Sequence, residues 1–176
     1  MLLLATHIQV KHERDALPSV VIIDAQTVRG GRAGPTFHEA GGRAGRTNGT
    51  KRSILVERLG LPIAARVDSA RPHDVAAGRT LLHEALPGLP RVELVVADRG
   101  YRALGKAAQH HKVRLEIRSR PAGTVGFKPL PMVWRVENAF AQLGRWRRLS
   151  RCYEGTAESA KAWLEVACVG YMLGRV

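Results

Sequence analysis

A chain of 176 residues with 45% apolar side chains can bury one hydrophobic core, and its 24% charged content is too diluted for a disordered tail. Its 28 Lys and Arg against 15 Asp and Glu leave a formal charge of +13, and 22 of those cations are arginine. The guanidinium fork suits phosphate, so a nucleic acid is the expected partner; a solvated, Arg-inflated surface is the bland alternative. Cys152 and Cys168 lack the spacing of a disulfide framework or zinc site, and no stretch reaches the roughly 20 apolar residues that cross a bilayer. The expectation is a cytoplasmic protein in a reducing compartment, without a membrane partner.

In chain order, the β-branched run Val20, Val21, Ile22, Ile23 follows Pro18 and Ser19 and predicts a buried strand closed by Asp24. Residues 29–50 are rich in Gly and Arg and predict a flexible basic loop. Strands over 51–57 and 61–68 around Gly60 predict an antiparallel hairpin. Apolar positions at helical spacing between Pro72 and Pro87 predict a helix over 73–86. A strand over 92–97 closed by Asp98, a helix over 101–111 and a strand over 113–117 make a β-α-β unit. Loop chemistry fills 119–131, then come an amphipathic helix over 133–143 and a last helix over 156–173. Three antiparallel strands feeding parallel strands covered by helices is the order of a ribonuclease-H-like α/β sheet, here as a single domain.

Two of the five aspartates, Asp24 and Asp98, end the two most hydrophobic strands, where an ionised carboxylate is costly unless a cation offsets it. In a sheet of this order those strands are neighbours, so the two carboxylates meet. Glu137 lies on the helix expected to cross that sheet edge. Three converging carboxylates suit a pair of hard divalent cations, most simply Mg2+, and hence phosphodiester cleavage. Taken singly, each acid has an ordinary role as turn, cap or solvated side chain.

The residues also resemble a family. The stretches around Ile22-Ile23-Asp24-Ala25-Gln26-Thr27, Gly49-Thr50-Lys51-Arg52-Ser53-Ile54, Leu59-Gly60-Leu61-Pro62, Ala97-Asp98-Arg99-Gly100-Tyr101, Trp134-Arg135-Val136-Glu137-Asn138 and Arg148-Leu149-Ser150-Arg151-Cys152-Tyr153-Glu154 are similar to the catalytic portion of insertion-sequence transposases of the Asp-Asp-Glu (DDE) type, closest to the insertion-sequence-five-like group. The resemblance implies metal-dependent cleavage and strand transfer at transposon ends. It makes Asp24, Asp98 and Glu137 the catalytic metal ligands, Mg2+ the cofactor with Mn2+ as substitute, and transposon-end and target DNA the partners, bound by a dimer or higher assembly. Family members usually carry an arginine four residues before the glutamate; here that position is Val133, with Arg135 on another face. They also typically carry an N-terminal helical DNA-binding segment before the first catalytic strand, whereas this chain begins about twenty residues before Asp24; it is read as a fragment, a second reading frame or a decayed copy, with an N-terminal domain from an upstream frame as one candidate partner. Two alternatives stand beside this reading: a nuclease that cuts without strand transfer, and an inactive remnant that only binds nucleic acid.

Arg43, Arg46, Lys51 and Arg52, in or beside the Gly-rich stretch, are candidate DNA-backbone contacts, as are Arg145, Arg147, Arg148 and Arg151 after the Glu137 helix. If that helix continues, eleven residues at about 100° each bring Arg148 within about 20° of Glu137. Trp134, Trp146 and Trp163 are read as core. His110 and His111 diverge on a helix and receive no role.

Overall fold

A computed structural model describes residues 1–12, 14–31, 37–41, 47–119 and 130–176. The expected β-branched run opens β1, Val20–Arg29, but the strand does not stop at Asp24. It continues because β3, Thr47–Glu57, pairs with it antiparallel from Val21↔Glu57 to Arg29↔Gly49 and supplies ladder hydrogen bonds past the aspartate. The stretch 29–50 is accordingly not one loop. β1 and β3 hold its ends, and the short strand β2, Glu39–Gly41, pairs with β3 at Thr47 to Gly49. β3 turns at Gly60, which takes φ +80 as a tight turn requires, into β4, Pro62–Ser69. Buried Glu57 accepts the Leu59 and Leu61 N–H groups at 2.7 and 2.9 Å and closes that hairpin.

Two elements lie outside the expected order: β2 and an N-terminal helix, α1, Leu2–Lys11. The remainder matches it within a few residues: α2, Asp74–Ala85; β5, Leu94–Asp98; a 3-10 turn, Arg99–Leu104, running into α3, Gly105–His110; β6, Arg114–Arg118; α4, Trp134–Leu143; and α5, Ala157–Leu173. β1 pairs in parallel with β5, and β5 in parallel with β6. β4 and β2 share the far edge of β3, so the sheet joins an antiparallel half to a parallel half at β1. This is the ribonuclease-H-like mixed sheet. Among the described residues no helix is long and apolar enough to cross a membrane.

The alternation of β1 divides the interior. Val21 and Ile23 face a cluster with Leu55, Val95, Ala97, Leu81, Leu82 and Leu104, under α2 and the α3 segment. Val20 and Ile22 face a second cluster with Ile54, Val56, Val96, Val136, Phe140 and Leu164, under α4 and α5. Each such aliphatic side chain contributes about 1.5–3 kcal/mol when buried, enough to hold a carboxylate-bearing strand in the centre of the sheet. α2 approaches closely at Gly78, where a Cβ would stand 3.1 Å from the Tyr101 ring and 3.2 Å from Ile23.

Candidate active site

Parallel pairing of β1 with β5 runs from Val20↔Leu94 to Ile22↔Val96. Asp24 and Asp98 each stand two residues beyond that last pair, so they sit at one level on strands about 5 Å apart. Their positions share the alternation of Ile22 and Val96, so both belong to the sheet face covered by α4. α4 buries Val136, Ala139, Phe140 and Leu143 against that face and carries Glu137 at its solvent-exposed rim. The field of Glu137 reaches Asp24, as do those of Asp98 and Asp74. Asp24 thus feels the charge of both other expected acids, but the three carboxylates do not form a close-set cluster of ligand atoms: among the described residues only His83, His110 and His111 do so.

Burial first, and then repulsion from Asp98, Asp74 and Glu137, pushes the Asp24 carboxyl up to about 7, although the Ala25 N–H partly offsets this. Asp98 caps the turn that follows it, accepting the Gly100 N–H at 2.8 Å, which fixes its carboxylate. Two further residues lie within reach of Asp24. Asp74, first residue of α2, pairs at 2.5 Å with the Nζ of Lys51, which also donates to the Pro72 carbonyl. The Tyr101 hydroxyl is buried within reach of Asp24; burial, then the charges of Asp24, Asp74 and Asp98 and a hydrogen bond to Asp24, raise its pKa far above the ordinary phenol value. Sequence reasoning missed both. Asp74 lies inside the expected helix over 73–86 with no role of its own, and only the approach of α2 to the sheet reveals one. An oxygen-only donor set, with one member pushed toward protonation by burial and then by its acidic neighbours, fits hard divalent cations, whose charge would offset both.

A family model for the transposase DDE domain matches residues 15–172. The chain belongs to the transposase DDE domain family. Against solved structures, the DDE domain superposes on a chain of the simian T-cell lymphotropic virus intasome in complex with PP2A regulatory subunit B56 gamma. The TM-score is 0.52 and the identity 13%, over 86% of this chain and 48% of that one, a likeness of fold. It is also similar to the catalytic domain of Mos1 mariner transposase (TM-score 0.46, 14% identity, 94% of this chain and 77% of that chain). A piggyBac transposase synaptic complex with hairpin DNA gives a TM-score of 0.44 and 13% identity over 87% and 46% of the two chains. The DDE domain thus spans about half the length of the viral chain. No curated protein matches by sequence.

The basic residues of this DDE domain divide by burial. Lys51 and Arg52 are not available to a DNA backbone. They lie next to one another on β3, a strand covered on both faces, and are 3% and 5% exposed. Lys51 is spent on Asp74, while Arg52 donates to the Leu149 carbonyl at 2.6 Å and ties the segment after α4 to the sheet. Arg43 and Arg46 lie outside the described residues. α4 ends at Leu143, so Arg148 does not share a helix with Glu137. It pairs instead with buried Glu154 at 2.7 Å and lies 5.0 Å from the Trp163 ring. Arg147 and Arg151 are exposed, and Arg145 reaches only Gln142 at 3.3 Å. A cleft of about 500 Å³ opens beside Arg147, Arg148, Ser150 and Tyr153. Its wall is anchored where the Cys152 N–H donates to the Arg29 carbonyl at 2.9 Å.

Three smaller expectations are settled by the same packing. The tryptophans are not core: Trp134, Trp146 and Trp163 are each about two-fifths exposed, because they sit on the outer sides of their helices or turns. Arg135 packs beside Gly60 and adds its field to that of Arg14 on Glu57, facing the β3–β4 turn. His110 and His111 are not divergent, since α3 ends at His110 and both rings meet His83.

Proposed function

We propose that this DDE domain cleaves DNA at transposon ends and joins the freed end to target DNA. In this reading Asp24, Asp98 and Glu137 hold two divalent cations, most simply Mg2+ with Mn2+ as substitute. The observation that carries it is the half-buried Asp24 carboxyl, level with Asp98 on the neighbouring strand, which burial, and then the charges of Asp98, Asp74 and Glu137, raise to about 7. Bound there, the cations would supply the charge stabilisation that an in-line phosphoryl displacement needs at its attacking and departing oxygens.

The chain's own groups set up the rest. Asp24 and Asp98, level on neighbouring strands, form a rigid pair, because β1 and β5 are locked on both faces by the two cores. Glu137 closes the site from a helix whose position depends on Val136 and Phe140. Lys51 holds Asp74 on the α2 side, where the Tyr101 ring is buried with Ile23 and Leu104 and its hydroxyl faces Asp24. Exposed Arg147 and Arg151, with Arg145, bind the DNA backbone, whereas Arg148 acts as a buttress for the same surface. Two ends must be joined in one event, which favours a dimer on DNA. The motif agreement favours the insertion-sequence-five-like group.

The deciding experiment offers the chain a pre-cut, 3′-hydroxyl transposon end and a target plasmid in Mg2+. Joined product supports the proposal. Nicking without joining favours a nuclease, and neither reaction on bound DNA favours a remnant. In the same system, the double substitution Arg147→Glu with Arg151→Glu is expected to weaken binding uniformly across sequences. It should also reduce the slope of log affinity against log salt by about 2, read by fluorescence anisotropy.

A further inference from the structure

We propose that His83, His110 and His111 form a second metal site, selective for a borderline-soft transition-metal dication such as Zn2+. His83 stands near the C-terminus of α2, and the other two stand where α3 ends. One ligating atom from each lies within 4.8 Å of the others, and His83 Nδ1 is 2.8 Å from His111 Nε2. The three ring centroids are 4.8 to 5.4 Å apart. Zinc–nitrogen bonds of about 2.0–2.1 Å at tetrahedral angles place ligand nitrogens about 3.4 Å apart. Two of the rings are exposed and one is half-buried, so the side-chain torsions that would close the nitrogens to that spacing are not locked by packing.

Two features favour a metal over a simple imidazole contact. A cleft of about 340 Å³ lined by His83, His110, Lys106 and Arg79 leaves room for water at an open position. The donor set is nitrogen only, which discriminates against Mg2+ and Ca2+ and separates this site from the oxygen site around Asp24. About 14 Å of helix axis lies between Asp74 and His83 at 1.5 Å per residue, so the two sites occupy opposite ends of α2. Arg79 and Lys106 oppose a dication through partly screened charge, which lowers affinity without removing the ligands. A bound ion would clip α2 to α3, on either side of β5.

Isothermal titration of the full chain carrying Asp24→Asn and Asp98→Asn, which neutralises both strand-end carboxylates, reads this site alone with Zn2+ as probe. One equivalent is expected to bind with Kd at or below about 1 μM, unaffected by millimolar Mg2+. Co2+ in its place should give a visible ligand-field band. Adding His83→Ala, or separately His111→Ala, should weaken binding by about tenfold or more while far-UV circular dichroism stays unchanged. Equal Zn2+ affinity with and without His83, or displacement by Mg2+, would overturn the proposal and leave a hydrogen-bonded histidine pair.

Discussion

Glu137→Gln, Asp98→Asn and Asp24→Asn are each expected to reduce Mg2+-dependent cleavage and joining by about 10³-fold or more. The size follows from what a lost ligand removes. Each cation contributes several kcal/mol of transition-state charge stabilisation, and every 1.36 kcal/mol is tenfold in rate. The neutral amides keep shape and volume, so the loss is one of charge. Asp74→Asn is the informative contrast. Asp74 is exposed and already paired with a Lys51 that is 3% exposed. Its loss should leave a buried ammonium without a carboxylate, lowering the melting temperature while cleavage falls far less than for the other three. Single-turnover rates on a plasmid, beside thermal melts of the four variants, measure both quantities. A Glu137→Gln variant that cuts at the normal rate would remove α4 from the site.

Asp24→Asn is expected to stabilise the metal-free chain at pH 8 although it destroys activity. The sign follows from the raised carboxyl, at about 7 in the folded chain and near 3.8 when unfolded. Between those values the unfolded chain has released its proton and the folded chain retains it, so folding stability falls as pH rises. The contribution is fully present below about pH 4 and is lost as pH passes through 7. An asparagine does not titrate and flattens that slope. Chemical denaturation of both forms at pH 5 and pH 8 without divalent ions checks it: the gap between them should widen at the higher pH. Millimolar Mg2+ or Mn2+ should narrow the gap by stabilising only the wild type. A wild type that gains stability from pH 5 to pH 8 as much as the variant does would contradict the raised Asp24 carboxyl and the burial that chiefly raises it.

The fold was legible where period and punctuation agree. The β-branched runs ending at Asp24 and Asp98, the proline brackets of α2 and the amphipathic α4 each carry their signal within a few residues. The expectation that Asp24 and Asp98 end neighbouring strands could be read because the sheet order sets β1 beside β5, whatever their separation along the chain. Strand ends were less visible. β1 runs five residues past Asp24 and β3 begins at Thr47 because each is held by the other, and no local preference reports a partner strand. The same blindness misassigned Lys51 and Arg52. Beside seven-glycine basic sequence they look solvent-facing, yet both lie in a central strand, one beneath α2 and one beneath the turn at Arg147–Leu149. The histidine cluster was illegible for a related reason: His83 and His111 are joined only by the packing of α2 on α3, and two adjacent residues on an uninterrupted helix would diverge.

The most direct measurement is the anomalous scattering of Mn2+ from crystals of the chain soaked or grown with the ion. The carboxylate centre predicts manganese between Asp24 and Asp98, with a second position toward Glu137, and the loss of these peaks in Asp24→Asn. Manganese bound elsewhere while Asp24 and Asp98 remain unliganded, or peaks that persist undiminished in Asp24→Asn, would contradict it.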